Sequence, residues 1–254
     1  MTNSQNQNNS RSALVTGASS GIGQATVRAL RAQGWNVFAV ARRADRLESL
    51  AAETGAVALT ADVSVQADVD ALVSVVEAQG GVDTLINCAG GARGSDHWAE
   101  AKDEDWEFMW QANVMGTMRL TRALLPSLRT SAGTILNVTS TAALSSYEGG
   151  SGYNAAKAAQ RAMTQALRLE EVGNGVRVIE VLPGLVHTEE FALRRLGTKE
   201  AAEKVYAGVA EPLTAEDVAE VIRYAVSAPS HVNLDEIVIR PQAQAANHKL
   251  IRQS

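Results

Sequence analysis

Tyr153 and Lys157 stand four residues apart in the stretch Ser151-Gly152-Tyr153-Asn154-Ala155-Ala156-Lys157. On a helix, that spacing puts both side chains on one face. Tyrosine is a weak acid–base group at neutral pH, because its unperturbed pKa is about 10. A fixed ammonium beside it favours the phenolate and lowers that pKa. A tyrosine tuned in this way gives a proton to an alkoxide or takes one from an alcohol. Chance alone produces such a pair in roughly one chain in ten of this composition. The rest of the chain must therefore supply a cofactor site and a partner for the reacting oxygen.

The elements that would position the pair begin near the N-terminus. Ser12–Thr16 reads as a short buried strand, and Gly17-Ala-Ser-Ser-Gly-Ile-Gly23 leads from it into the helical pattern QATVRALRAQG. Glycines permit positive φ and close backbone approach. A helix N-terminus offers free N–H groups and partial positive charge to a pyrophosphate. Gly17, Ser19, Ser20, Gly21, Ile22 and Gly23 are therefore candidate cofactor contacts; the alternative is a glycine-rich turn that binds nothing. Asn36–Val40 is a second strand, followed by Arg42 and Arg43. In a dinucleotide fold this strand end meets the adenosine ribose, where an acid would accept the 2′-hydroxyl of NAD. Two arginines suit a 2′-phosphate instead, which points to NADP. The alternative is that they begin a solvated helix, whose next turn holds Asp45. A third strand, 56–60, ends at Asp62-Val63. Asp62 is placed to bond the adenine amino group or to cap the helix over 65–79, as Ser64 is. Thr84–Ile86 is the fourth strand and runs into Asn87-Cys88-Ala89-Gly90-Gly91, small enough for a cofactor to lie against the backbone.

Lys102–Leu128 reads as one long helical stretch broken at Pro126, and Asn113 interrupts it. Asparagine is unfavourable in a helix interior, so a hydrogen-bonding job is expected there. Thr134–Val138 is a fifth strand that delivers Ser140. A Gly149-Gly150 loop leads into the Tyr153 helix, which runs to about Val172. Val176–Leu182 is a sixth strand, and Pro183-Gly184-Leu-Val-His-Thr188 leaves its end. Glu189–Tyr206 looks helical and charge-rich, Thr214 caps a helix over Ala215–Ser227, and Leu234–Ile239 is a seventh strand. Strands alternating with helices mean a parallel sheet covered on both faces. The expectation is one α/β Rossmann domain over residues 11–240, a doubly wound seven-stranded parallel sheet, with polar tails at 1–10 and 241–254.

Bulk properties narrow the function. The formal net charge of −5 over 254 residues argues against a general nucleic-acid binder. One cysteine, Cys88, excludes an intrachain disulfide and a multi-cysteine zinc site, and suits a reducing cytoplasm. There is no apolar run of about 18 residues and no basic, apolar leader, so a cytoplasmic protein that neither spans nor docks on a membrane is expected. His97, His187, His231 and His248 are scattered without metal spacing, so no metal site is expected. His187, Tyr147 and Phe191 are candidate pocket walls, with plain packing as the alternative.

Thr16-Gly-Ala-Ser-Ser-Gly-Ile-Gly23, Asn87-Cys-Ala-Gly90, Asn113, Ser140, Tyr153-x-x-x-Lys157 and Pro183-Gly184 together resemble the short-chain dehydrogenase/reductase family, across residues 12–240. The resemblance implies that Tyr153 is the acid–base group and that Ser140 bonds the substrate oxygen. It implies that Lys157 lowers the Tyr153 pKa and holds the nicotinamide ribose, and that Asn113 holds a water linking Lys157 to solvent. It adds Asn87, Ala89, Gly90, Pro183, Gly184, Val186 and Thr188 to the cofactor contacts, with Cys88 a departure from the usual second asparagine. A narrower similarity, carried by Glu180-Val-Leu-Pro-Gly-Leu-Val186, Glu190-Phe191, Leu213-Thr-Ala-Glu-Asp-Val218 and Arg240-Pro241-x-x-Gln244, is to the NADP-dependent 3-hydroxy acid (serine) dehydrogenase branch. A carboxylate on the substrate would need an arginine, for which Arg93, Arg194 and Arg195 are candidates. The resemblance also implies a homotetramer built on the helices at 102–128 and 151–172. Competing readings are a ketoreductase for larger or carrier-bound substrates and a non-catalytic NADP-binding sensor or scaffold.

Overall fold

The computed structural model describes residues 11–188 and 190–253. The expected N-terminal tail at 1–10 lies outside the described residues, as does Glu189. The chain alternates β1 (Ser12–Thr16), α1 (Gly21–Ala32), β2 (Asn36–Ala41), α2 (Ala44–Thr54), β3 (Val57–Thr60), α3 (Gln66–Ala78) and β4 (Thr84–Asn87). Then come α4 (Asp103–Trp110), α5 (Gly116–Thr130), β5 (Thr134–Val138), α6 (Ser151–Glu171) and β6 (Arg177–Pro183). Two short helices, α7 (Phe191–Leu196) and α8 (Lys199–Tyr206), precede α9 (Ala215–Ser227) and β7 (Glu236–Ile239). The seven strands form one parallel sheet in the order β3-β2-β1-β4-β5-β6-β7.

The period of two in each strand divides the core. On β1, Ala13 and Val15 face one helical layer, where Val27 and Leu30 of α1 meet Val218 and Ile222 of α9. Leu14 faces the other, with Leu72 of α3 and Leu120, Leu124 and Leu128 of α5. Every residue of β5 and β6 is buried, as strands covered on both faces require.

The stretch at 102–128 departs from expectation. It does not break at Pro126: α5 runs through that residue to Thr130. Proline in a helix interior costs on the order of 3 kcal/mol, but Leu120, Leu124 and Leu128 are all fully buried and pin the helix on both sides of it. The interruption falls at Asn113 instead, inside a π-helical turn over Gln111–Met115. Neither Asp62 nor Ser64 caps α3, whose cap residue is Val65; Asp62 accepts from the Ser64 amide and hydroxyl instead. Thr214 does cap α9, in a reciprocal box with Asp217. The charge-rich segment ending at Tyr206 splits at Gly197, whose φ of +79° ends α7 before Thr198 starts α8.

The polar C-terminal stretch is not a loose tail. Two further strands, β8 (Gln244–Ala246) and β9 (Lys249–Leu250), make an antiparallel hairpin. The Asn247 amide donates to the carbonyls of Thr141 and Ser145, and its oxygen accepts from the Thr141 hydroxyl. Gln244 Oε1 accepts the Leu185 amide at 2.8 Å. Side-chain amides thus satisfy backbone groups in the loops after β5 and β6, which sheet pairing leaves unpaired. Among the described residues no helix is long and apolar enough to cross a membrane.

Gly23 sits where α1 crosses the end of β1, and a Cβ added there would lie 2.5 Å from the Gly17 carbonyl oxygen. Gly23→Ala should therefore lower stability by about 1–3 kcal/mol, because backbone must move to admit the methyl group. A urea midpoint equal to that of the wild type would show slack in this turn.

Candidate active site

β1 and β4 are neighbours in the sheet, and their chains leave in opposite directions: one to α1, the other toward α4. Such a switch point opens a crevice at the carboxyl ends of the strands. The Thr16 hydroxyl holds its two lips together by accepting the amides of Cys88 at 3.0 Å and Ala89 at 2.9 Å. The cleft has a volume of about 1060 Å³. Its floor is the glycine loop, with Gly17 at φ +68° and Gly21 at φ +53°. No side chain caps α1 and no acid stands in its first turn, so its opening amides and positive dipole end remain for an anion. Gly17, Ser19, Ser20, Gly21, Ile22 and Gly23 all line the cleft. So do Asp62, Val63, Ala89, Gly90, Pro183, Gly184, Val186 and Thr188. The shape and the donor set fit a dinucleotide with its pyrophosphate on α1.

At one end of the cleft lie the arginines that follow β2. Arg43 donates from Nε at 3.1 Å and from Nη2 at 2.8 Å to the Ser19 hydroxyl, and from Nη2 to the Ser20 hydroxyl at 2.9 Å. Its Nη1 donates to Glu190 Oε1 at 2.6 Å. Arg42 is more exposed and lies 3.7 Å from the Asp62 carboxylate. Burial pushes the Asp62 carboxyl up, but the Ser64 donors and the Arg42 charge outweigh it and hold it below its ordinary value.

At the other end Ser140, which follows β5, and Tyr153, on the first turn of α6, both line the cleft, and the Ser140 hydroxyl donates to the Pro183 carbonyl at 3.4 Å. The Ser140 hydroxyl accepts the Ala142 amide at 3.1 Å, which fixes its direction. Lys157 lies behind the tyrosine, its ammonium 5.8 Å from the ring centroid. It donates to Gln160 Oε1 at 2.8 Å and to the Val138 carbonyl at 3.2 Å. Burial pushes the lysine down to about 8, against smaller upward pulls from Cys88 and Glu180. The Tyr153 pKa moves opposite to the sequence-based expectation. Burial pushes it well above its ordinary value, Tyr147 adds to that, and the Ser140 hydroxyl and the Arg195 charge only partly oppose it. Tyr153 is thus held as a neutral phenol, and the cation that favours its ionisation is Arg195 rather than Lys157.

Several candidates do other work than expected. Asn87 does not line the cleft; its amide donates to Asn137 Oδ1 at 2.9 Å and Thr121 Oγ1 at 3.2 Å in the core beneath. The Asn113 side chain is spent on backbone: Nδ2 donates to the carbonyls of Met109 and Gly91, and Oδ1 accepts the Gly91 amide. A Cβ at Gly90 would collide with that amide group. Arg194 lines the cleft and pairs with Glu190 at 2.7 Å. Arg93 lines the cleft but stacks on Phe108, 3.9 Å from its ring centroid. Arg195 faces the tyrosine, 5.9 Å from its ring centroid, and donates to the Tyr147 hydroxyl at 3.0 Å. Phe191 meets Tyr153 edge-on, ring centroids 5.7 Å apart. His187 lines the cleft and packs on Tyr206, ring centroids 4.3 Å apart. Three contributors escaped the sequence reading. Gln160, which partners Lys157, was signalled by its i,i+3 spacing. Thr16 and Asn247 carried no comparable signal, because their partners are 72 or more residues away in the chain. Among the described residues no three His, Cys, Asp or Glu side chains converge as metal ligands.

Between about 8 and its ordinary 10.5, Lys157 is protonated in the unfolded chain and neutral in the folded one. Stability from this group therefore rises with pH across that window, and its cost is full below it. The stability of Lys157→Met relative to wild type, from urea melts, should shrink as pH rises from about 8 to 10. A pH-independent difference would contradict this placement of the ammonium.

Similarity to known proteins covers both ends of the cleft. The family model for short chain dehydrogenase matches residues 11–197. An uncharacterised oxidoreductase of Mycobacterium tuberculosis is 54% identical over 237 residues, 93% of each chain. Serine 3-dehydrogenase of Agrobacterium fabrum is 37% identical over 245 residues, 95% of this chain and 98% of that one. The closed form of a serine dehydrogenase complexed with NADP+ superposes with a TM-score of 0.89 at 35% identity, covering 96% of this chain and all of the other. Since the match runs from the glycine loop through the tyrosine helix, the chain belongs to the short chain dehydrogenase family and is an oxidoreductase of alcohol and carbonyl groups.

Proposed function

We propose that this protein transfers a hydride between NADP(H) and a small 3-hydroxy acid or its oxo counterpart, with Tyr153 as the acid–base group. The observation that carries the reading is that Ser140 and Tyr153 both line a cleft whose floor is an uncapped helix N-terminus with no acid in its first turn. The hydride chemistry belongs to the cofactor. Arg42 and Arg43, with the Ser19 and Ser20 hydroxyls, would hold the adenosine 2′-phosphate. The NADP+ complex of the similar serine dehydrogenase supports this choice of cofactor.

In this reading Ser140 donates a hydrogen bond to the substrate oxygen, where negative charge develops during reduction. Tyr153, kept protonated by its buried setting, delivers its proton to that oxygen. In the reverse direction the phenolate form takes the proton, and the nearby Arg195 cation favours it. Asn113 acts as a positioning residue, bracing Gly91 and the loop that flanks Lys157. Arg195 is the candidate for a substrate carboxylate. It uses three donors, on Gly94, Tyr147 and Gly149, and a guanidinium has five. Two donors and the charge remain for a ligand beside Tyr153. A serine 3-dehydrogenase among the relatives supports a substrate with a hydroxyl at C3 and a carboxylate. The reading includes a homotetramer, supported by apolar side chains exposed at Trp110, Leu169 and Val172 along α4 and the end of α6.

Two variants test this assignment with a panel of small hydroxy acids, oxo acids and neutral alcohols, followed through the absorbance of reduced nicotinamide. Tyr153→Phe should lower kcat by about 10²–10⁴-fold while NADPH still binds; full activity in this variant would remove the tyrosine from the mechanism. Arg195→Leu should raise KM for 3-hydroxy acids by about tenfold or more and leave KM for neutral alcohols nearly unchanged. An equal rise for both substrate classes would place the carboxylate site elsewhere.

A further inference from the structure

The 2′-phosphate site already contains an anion supplied by the chain itself. Glu190, the residue before α7, points its carboxylate into the arginine cluster, and its side chain is only 16% exposed. Oε1 accepts from Arg43 Nη1 at 2.6 Å and from Arg46 Nη1. Oε2 lies 2.7 Å from Arg194 Nη2. Burial pushes the Glu190 carboxyl up, but the Arg43 hydrogen bond and the charges of Arg194 and Arg43 outweigh it and hold it at about 2, so it is ionised at any working pH. A carboxylate, like a phosphate, accepts the paired donors of a guanidinium.

Charge balance supports the comparison. Arg42, Arg43, Arg46 and Arg194 bring four positive charges, and Glu190 with Asp62 brings two negative ones. Without Glu190 the cluster would hold a phosphate dianion more strongly. Glu190 also begins the segment whose other end forms the substrate pocket: Phe191 packs on Tyr153, and Arg195 bonds Tyr147 and Gly149. The same short segment therefore touches both ends of the cleft.

We propose that Glu190 is an internal competitor for the 2′-phosphate, and that a phosphate on Arg43 and Arg194 displaces its carboxylate. This rests on the NADP reading given above. It makes Glu190 a determinant of cofactor preference that lies outside the β2 end, where such determinants are sought in sequence.

The test compares adenosine 2′,5′-bisphosphate with adenosine 5′-monophosphate by calorimetric titration of wild type and Glu190→Gln. Wild type should bind the bisphosphate more tightly; equal binding would remove the NADP reading and this proposal with it. Given that preference, Glu190→Gln should bind the bisphosphate about three- to tenfold more tightly, with the monophosphate unchanged, because a partly exposed carboxylate no longer competes for the arginines. Unchanged or weaker bisphosphate binding in Glu190→Gln would make the carboxylate a buttress of the arginines and overturn the proposal while leaving the NADP reading intact.

Discussion

A lysine ammonium held out of water is the constraint around which this site is built. Lys157 is 4% exposed, and a buried charge is tolerated only where its donors are met. Gln160, one turn along α6, meets one of them, and its own amide donates to Thr117 on α5. Thr117 in turn donates to the Asn113 carbonyl, and the Asn113 side chain braces Gly91. One chain of hydrogen bonds thus ties the tyrosine helix to the π-turn and to the loop after β4. The π-turn is part of this arrangement: it lets Asn113 reach both Met109 and Gly91, at the cost of regular helix geometry.

The same desolvation shapes the proton chemistry. Beneath the cleft, burial favours neutral forms: it raises Tyr153, lowers Lys157 to about 8 and raises Cys88 to about 12. A neutral phenol is a group able to donate a proton, as the proposed function requires of Tyr153. At the other end of the cleft the balance reverses, because guanidiniums and carboxylates sit close together and ionised forms win there. Segment 190–196 joins the two regimes, since Glu190 belongs to the ionic end and Phe191 and Arg195 to the neutral one.

Local pattern made most of the architecture legible. The seven strands fall within two residues of their expected bounds, because central parallel strands are continuous apolar runs and each is followed by a turn or a glycine. The glycine loop and the tyrosine helix were legible for the same reason: their chemistry is carried by short spacings. Pro126 misled because three buried leucines outweigh a lost helix bond. The C-terminal hairpin was hidden because its hold is long-range, from Asn247 back to Thr141.

By itself, then, the sequence determined the order of elements, the glycine loop and the presence of Ser140, Tyr153 and Lys157 on the elements that carry them. These follow from periodicity and backbone freedom, which act within a few residues. Tertiary structure alone decided which cation faces the tyrosine, which arginine meets Glu190 and in which direction the tyrosine pKa moves. Those outcomes depend on burial and on charges that are distant in the chain and adjacent in space. Two successive arginines, Arg194 and Arg195, therefore look alike in sequence and serve opposite ends of the cleft in the fold.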